Sequence, residues 1–228
     1  MTITALVDYS NPRSLGSWLR RRRAQKLRDL LWRIQSLRGA VRILDVGGRV
    51  VYWENIIGRD ELSRLRATIT LVNLPGEAGE VSQSDPIFKS IVGDALKLPD
   101  LASPDFDLAH ANSVIEHVGN WAQIEQFAAI LRSAAFYYCQ TPYFWFPIEP
   151  HTLTPFFHWL PESVRAAILL RFGRPNFPKS QNMAHAMHDV ESIKLLSKQQ
   201  FVALFPDAQI SFEWFGLPKS LIAVKGGI

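Results

Sequence analysis

Residues 41–48 read Val41-Arg42-Ile43-Leu44-Asp45-Val46-Gly47-Gly48, an apolar run that ends in an acidic residue and two glycines. A short run of this kind predicts a buried strand. A glycine turn after such a strand lets a ligand approach the backbone closely, because no Cβ stands in the way. Dinucleotide-binding domains need G-x-G-x-x-G, whereas Arg49, Val50 and Val51 follow the glycine pair here. The stretch therefore indicates a ligand-binding α/β fold and argues against a nicotinamide cofactor.

Six further apolar or β-branched runs follow this strand and alternate with helical stretches. The alternation predicts an α/β fold with a Rossmann-like, doubly wound and mostly parallel seven-stranded sheet. Helices are predicted at 53–66, 121–133 and 198–204, with a capping box that begins at Ser197, and residues 75–86 predict a loop. The predicted strands are 41–46, 68–73, 88–92, 106–110, 135–140, 209–214 and 220–224.

Two segments depart from this alternation. Residues 1–40 combine a run of arginines at 20–23 with leucines at near-helical spacing, which predicts a basic amphipathic helix. Residues 141–189 are rich in aromatics and proline and too long for one crossover, which predicts an insertion after the fifth strand with a helix at 161–172. We therefore predict one domain over residues 41–228, preceded by the helix. The insertion is expected to overhang the edge where open α/β sheets bind ligands.

Composition narrows the classes of protein. The chain has 228 residues, 47% of them hydrophobic, and a net charge of +4. It contains no apolar run near the roughly 18 uncharged residues of a membrane span and no cleavable leader pattern, so we expect a cytoplasmic protein. The single cysteine, Cys139, predicts a buried thiol. Nucleic acid is not expected as a partner, because the basic run is confined to one helix. Oligomeric state is not predicted.

Polar side chains follow three more of the predicted strands. Asn73 and Leu74 end the second strand, where a polar group can bond the hydroxyls of a ribose. Asp94 and Ala95 follow the third, placing a carboxylate where it can accept from an exocyclic amine. After the fourth strand come Asn112-Ser113-Val114-Ile115-Glu116-His117-Val118. Each feature alone is commonplace, but four in succession indicate one ligand site along the edge of a sheet.

With these motifs, residues 41–140 resemble a class I S-adenosylmethionine-dependent methyltransferase of type 11 or 12. The Asp45-to-Gly48 turn, residues 112–118, Thr141-Pro142 with residues 146–151, and residues 219–224 further resemble one bacterial subfamily. The resemblance implies S-adenosylmethionine as cofactor and S-adenosylhomocysteine as product. It assigns the methionine part to Asp45, Gly47 and Gly48, the ribose to Asn73 and Leu74, adenine to Asp94 and Ala95, and the sulfonium to Asn112, Ser113 and His117.

The chain departs from this family pattern at two positions. The turn has an adjacent glycine pair instead of three spaced glycines, and the second strand ends in Asn73 instead of an acidic residue. An amide is an uncharged and weaker acceptor for a ribose hydroxyl than a carboxylate. A non-catalytic binding module on a degenerate methyltransferase fold therefore stays an alternative to the enzyme.

Methyl transfer to a hydroxyl or a protonated amine benefits from a general base, and a histidine has a suitable pKa. His117 and His151 are the candidates. The alternatives are that His117 caps a helix or shapes the cofactor site, and that His151 makes a structural hydrogen bond to Glu149 or to backbone. His185, His188 and Asp189 make too thin a set for a metal site, and no metal is predicted.

The expected acceptor is a small apolar or aromatic molecule, methylated on oxygen or nitrogen. Tyr143, Trp145, His151 and Phe157 of the insertion are predicted to line its pocket, although such rings also suit the insertion's own core. A membrane-associated lipid acceptor is an alternative, with peripheral membrane contact through the N-terminal helix. That helix could equally pack its leucines on the domain or cover the site.

Overall fold

The computed structural model describes residues 24–98, 101 and 105–226. Its main sheet is seven-stranded and mostly parallel, with one antiparallel hairpin at the edge. The strands are β1 (Val41–Val46), β2 (Ala67–Asn73), β3 (Phe88–Val92), β4 (Leu108–Asn112), β5 (Phe136–Pro142), β8 (Gln209–Phe215) and β9 (Leu217–Lys225), with a separate short pair β6 (Ile148–Glu149) and β7 (Thr154–Pro155). Their order in the main sheet is β3-β2-β1-β4-β5-β9-β8. The predicted Rossmann-like sheet is confirmed.

Seven α-helices lie in the described part of the chain. They are α1 (Gln25–Arg38), α2 (Val50–Ile56), α3 (Arg59–Arg64), α4 (Trp121–Ser133), α5 (Glu162–Arg171), α6 (Met183–Glu191) and α7 (Lys198–Leu204). The bounds of α4 and α7 match the prediction. The capping box before α7 is also confirmed, because the Ser197 and Gln200 side chains each accept from the other residue's backbone N–H.

The predicted helix at 53–66 is wrong in its extent, since α2 and α3 are separate. Gly58 between them has a φ of 90°, a left-handed conformation that interrupts an α-helix. The fourth strand begins two residues later than predicted, at Leu108, which pairs with Ile43 of β1. Asp107 lies just before β4 and is bonded to Arg42 of β1. Its backbone N–H donates to the Arg42 carbonyl, and its carboxylate accepts from the Arg42 guanidinium.

Helix α1 is the described portion of the predicted N-terminal helix. Its apolar residues Leu27, Leu30, Leu31 and Ile34 are buried. The amphipathic pattern is thus confirmed for this part, and it packs its leucines inside the protein. Trp18, Leu19 and the arginines at 20–23 lie outside the described residues. None of the helices in the described ranges combines the length and apolarity that crossing a bilayer requires.

By its contacts the chain divides into two compact units. The first contains the described residues up to Ala111, together with Ile130–Tyr138 and the described residues from Val224 onward. Its centre is the parallel pair of β1 and β2, with Trp53 fully buried.

The second unit contains Asn112–Ala129 and Cys139–Ala223. Here α5 and α6 pack with Phe157 into a small apolar core. Cys139 is fully buried, as predicted, and burial raises the pKa of its thiol well above the usual value.

Candidate functional site

The turn after β1 is built on a buried carboxylate. Asp45 is inaccessible to solvent and accepts hydrogen bonds from Trp53 Nε1 at 2.7 Å and His110 Nδ1 at 2.6 Å. A Cβ added to Gly48 would lie 1.6 Å from Asp45 Oδ2, so glycine is required for this close approach. Gly47 is exposed and has a φ of 73°, a left-handed conformation that glycine adopts without strain. Asp45 therefore organises the glycine turn from inside the protein.

The first unit brings the ends of β1, β2 and β3 together by hydrogen bonds. The Gly47 N–H donates to the Val72 carbonyl at 2.8 Å, and Asn73 Nδ2 donates to the Gly48 carbonyl at 2.9 Å. The Gly93 N–H donates in turn to the Asn73 carbonyl at 2.8 Å. Asn73 thus connects the glycine turn to the end of β3. A carboxylate at this position could not make the bond to the Gly48 carbonyl, because it has no N–H to donate.

The predicted adenine and ribose residues lie beside this junction. Asp94 Oδ1 accepts from the Leu96 N–H at 3.0 Å, and its Oδ2 lies 3.1 Å from Lys97 Nζ. Ala95 is buried, whereas Leu74 is exposed at the end of β2. The turn after β3 is therefore held by Asp94 itself.

Within the second unit, Ser113 follows β4 in a left-handed conformation with a φ of 56°. Its N–H donates to the Gln140 carbonyl at 2.9 Å and its hydroxyl to Gln140 Oε1 at 3.2 Å. Asn112 Oδ1 is buried, and no donor in the described part of the chain reaches it. A non-glycine residue in this conformation, next to an unsatisfied amide oxygen, is typical of a functional site.

Four titratable side chains of the second unit, which we call the Glu-His cluster, lie together: Glu116, His117, Glu149 and His151. The Nε2 atoms of His117 and His151 are 3.1 Å apart. His151 Nδ1 lies 2.7 Å from Glu149 Oε1, and His117 Nδ1 lies 3.3 Å from the Ser192 carbonyl. A carboxylate oxygen of Glu116 and the two ring nitrogens all lie within 4.8 Å of one another. This donor set suits either proton transfer or a cation.

The pKa values of the two carboxylates of the Glu-His cluster are shifted in opposite directions. Burial raises the pKa of Glu116 to about 7. Burial alone would also raise the pKa of Glu149, but hydrogen bonds from His151 and the Thr152 N–H outweigh it and hold that pKa below its usual value. Glu149 is therefore ionised and holds His151 in place by a hydrogen bond. This is the structural hydrogen bond predicted from the sequence as the alternative role of His151.

The insertion contains a cavity of about 120 Å³. Of the four predicted acceptor residues, Phe157 lines it and belongs also to the core around α5 and α6. The other three lie elsewhere. Tyr143 packs on Phe212, and Trp145 is exposed to solvent with its ring beside that of Trp159. His151 lies in the Glu-His cluster. Phe157 is thus the only one of the four that lines this cavity, and the role of all four in acceptor binding stays a prediction. The cavity is also lined by Phe144, Glu149, Thr152, His158, Glu162, Arg165, Leu169, Phe177, Asp189, Val190, Ile193, Lys194 and Leu195.

Three residues important to these sites were missed in the sequence. His110 reads as an ordinary strand residue, yet it donates to Asp45 across 65 positions. Glu116 is not among the predicted site residues, because a glutamate at the end of a strand normally points to water. Glu149 was named only as a partner of His151. In residues 148–151 apolar and polar residues alternate, which indicates that Glu149 and His151 lie on the same side of the chain. The residues around Glu116 contain no such indication that its side chain is buried. Nε2 of the exposed His185 lies 3.7 Å from Oδ1 of the half-buried Asp189, and His188 is not part of this pair.

Comparison with known proteins finds similarity to solved structures at low sequence identity. No family model matches the chain, and no curated protein does. An O-methyltransferase family protein from Burkholderia thailandensis aligns over 92% of this chain and 58% of that chain at 12% identity, with a TM-score of 0.49. Human N-acetylserotonin methyltransferase, in complex with SAM, aligns over 92% and 57% at 13% identity, with a TM-score of 0.48. This chain thus spans a little over half the length of either protein.

A protein of Rhodobacter sphaeroides described as a Zn-dependent alcohol dehydrogenase aligns over 92% of this chain and 98% of that chain, at 9% identity and a TM-score of 0.50. At identities this low the similarity is one of fold. The chain has a Rossmann-like fold with a mostly parallel seven-stranded sheet, which is the fold that the sequence resemblance to class I S-adenosylmethionine-dependent methyltransferases implied. The assignment to one bacterial subfamily stays a prediction.

Proposed function

We propose that the protein is an S-adenosylmethionine-dependent methyltransferase that methylates an oxygen or nitrogen atom of a small acceptor with an apolar or aromatic body. The observation that carries the proposal is the bonded junction of the β1, β2 and β3 ends, in which Asn73 joins the Gly48 carbonyl to Gly93. Ligands of open α/β sheets bind at the carboxyl ends of the strands. The motifs at these ends are those that the resemblance assigns to S-adenosylmethionine.

Each part of the junction has a role toward this cofactor. The exposed, left-handed Gly47 leaves its backbone open to the methionine part, because it carries no side chain. Asn73 faces the ribose and Asp94 the adenine amine. Asp45 supports the turn through Trp53 and His110. We therefore expect direct contact with the cofactor from the backbone of the turn, from Asn73 at the end of β2 and from Asp94 after β3.

S-adenosylmethionine supplies the reactive methyl carbon, so the protein mainly positions the reactants and removes a proton from the acceptor. The Glu-His cluster suits the second task. Glu149 accepts from His151 Nδ1, which leaves Nε2 of that ring as a proton acceptor. A buried, ionised carboxylate behind the ring also stabilises the protonated imidazole that forms.

An Asp94→Asn variant is expected to bind S-adenosylmethionine and S-adenosylhomocysteine about 10-fold more weakly than the wild-type protein. Asn keeps the Oδ1 acceptor for the Leu96 N–H, so the turn survives, but it replaces the second oxygen by an NH₂ group that cannot accept from adenine. Isothermal titration of each ligand measures the change. Gly47→Arg, which fills the open turn, is expected to abolish binding.

Asp60→Asn is the matched control, since Asp60 is exposed in the first turn of α3 and the substitution makes the same change of charge. It is expected to leave the affinity unchanged. Absence of binding by the wild-type protein would overturn the proposal and favour the non-catalytic module. Equal affinities of the wild-type and Asp94→Asn proteins would remove Asp94 from the site.

A membrane-associated lipid is the second candidate acceptor, favoured by a cluster of exposed rings. Trp145, Phe156 and Trp159 expose 57%, 51% and 39% of their surface. The Trp159 ring centroid lies 5.8 Å from that of Trp145 and 5.0 Å from that of Phe156. Aromatic side chains of this kind anchor proteins at the membrane interface.

Co-sedimentation with phosphatidylcholine vesicles, with and without phosphatidylglycerol, tests the lipid candidate. A Trp145→Ala/Phe156→Ala double variant is expected to bind vesicles about 10-fold more weakly, because it loses the exposed apolar area. Trp214→Ala, at an exposed tryptophan on β8, is the control. Failure of the wild-type protein to sediment with either vesicle at low salt would exclude this candidate.

A further inference from the structure

The two histidines of the Glu-His cluster face each other with their unprotonated nitrogens. The Ser192 carbonyl can only accept, so the proton of a neutral His117 ring lies on Nδ1. The Glu149 carboxylate likewise places the proton of His151 on Nδ1. Both Nε2 atoms then carry lone pairs, 3.1 Å apart. Two lone pairs this close repel each other unless something positively charged lies between them.

The third member of the arrangement is Glu116. It is 1% exposed, and its Oε2 accepts from the Thr141 hydroxyl at 2.9 Å. Its Oε1 is buried, and no donor in the described part of the chain reaches it. A buried carboxylate oxygen without a partner is costly unless a cation or a proton satisfies it. A carboxylate oxygen of Glu116 lies within 4.8 Å of one ring nitrogen of each histidine.

We propose that Glu116, His117 and His151 bind a divalent first-row transition-metal ion such as Zn²⁺. Two imidazole nitrogens and one carboxylate oxygen are a donor set that Zn²⁺, Mn²⁺ and Fe²⁺ accept. Two nitrogens at about 2.05 Å from one ion, and 3.1 Å from each other, subtend about 98° at the metal, between octahedral and tetrahedral geometry. This differs from the expectation from sequence, which considered only His185, His188 and Asp189.

The surroundings of the three ligands agree with a metal site. Metal-binding histidines usually donate their second N–H to a carboxylate or a backbone carbonyl, as His151 does to Glu149 and His117 to Ser192. The Thr141 hydroxyl holds the Glu116 carboxylate in the same way. These partners fix the ring tautomers and the orientation of the ligand atoms before an ion arrives.

Three protein ligands leave coordination positions open, and His117 is exposed to solvent. An acceptor hydroxyl bound at such a position would lose its proton more easily, because the metal lowers its pKa. With the ion bound, the lone pair of His151 Nε2 is used for coordination, so the ion would replace this nitrogen in promoting loss of the proton. This role of the ion rests on the proposed methyl transfer. Binding of the ion does not, and it can be measured without any cofactor or acceptor.

The test uses the untagged full-length protein after treatment with a chelator. Zn²⁺ is titrated in competition with a chromophoric chelator, and bound metal is counted by mass spectrometry after dialysis. One equivalent per chain is expected. His151→Gln and Glu116→Gln are each expected to weaken binding at least about 100-fold, and Glu149→Gln, which keeps all three ligands, about 10-fold to 100-fold. A Co²⁺-loaded sample should show a visible absorption band that His151→Gln abolishes.

His188→Gln is the matched control, because His188 is an exposed histidine of α6 outside the Glu-His cluster. It is expected to bind Zn²⁺ like the wild-type protein. Circular dichroism checks that each variant is folded. A wild-type protein that retains no Zn²⁺ or Co²⁺, or Zn²⁺ binding that survives His151→Gln, overturns the proposal and leaves a shared proton between the rings. Titration of S-adenosylmethionine into the metal-free protein tests the proposed function separately.

Discussion

A Gly48→Ala variant is expected to lose about 3 kcal/mol or more of the free energy of unfolding. The added Cβ would lie 1.6 Å from Asp45 Oδ2 and 2.1 Å from Asp45 Cγ. Since Asp45 is fully buried, it can move only by breaking its hydrogen bonds to Trp53 and His110. Losses of this size are the range for disrupting a buried hydrogen-bond network. Urea unfolding followed by tryptophan fluorescence measures the change.

Gly79→Ala is the control for Gly48→Ala. Gly79 lies in the loop before β3, and an added Cβ there meets no atom within 4 Å. This variant is expected to match the wild-type stability to within about 0.5 kcal/mol. A Gly48→Ala protein as stable as Gly79→Ala would mean that the Asp45 carboxylate does not occupy the space beneath the turn.

An Asp45→Ala variant is expected to lose about 3–5 kcal/mol of the free energy of unfolding. It leaves two buried donors, Trp53 Nε1 and His110 Nδ1, without an acceptor. Asp45→Asn keeps one acceptor oxygen, so its free energy of unfolding should lie between those of Asp45→Ala and the wild-type protein. The same urea unfolding experiment compares the three proteins.

Asp60→Ala serves as the control for Asp45→Ala, since Asp60 is an exposed residue at the start of α3. The Asp60→Ala variant should lose less than about 1 kcal/mol of the free energy of unfolding, which is the range of a helix-dipole contribution. If Asp45→Ala were no less stable than Asp60→Ala, the buried network would contribute nothing to stability.

The sheet was predictable because its information is local. β1, β3, α4 and α7 follow directly from hydrophobic patterning and caps that are complete within a few residues. The break between α2 and α3 at Gly58 could not be predicted, because one glycine inside a helical pattern is often tolerated. The start of β4 depended on a distant partner, the Asp107 bond to Arg42, which local patterning does not show.

The candidate sites were predictable only in part. The sequence named His117 and His151 as separate bases, but their contact joins positions 34 residues apart and depends on the path of the insertion. Glu116 was not predicted, because a glutamate beside a histidine at the end of a strand normally points to water. Its burial follows from the packing of the second unit, where the Thr141 hydroxyl and the Lys194 N–H hold its side chain and its carbonyl.

The single buried thiol of the chain has a practical consequence. Cys139 lies in the middle of β5 and is inaccessible to solvent, and burial keeps its pKa well above the usual value. A thiol reagent can therefore modify it only when β5 opens, because the thiolate is the reactive form. With no other cysteine in the sequence, the rate of alkylation reports that opening alone. The alkylation rate of this one cysteine therefore measures how often β5 opens in the unmodified protein.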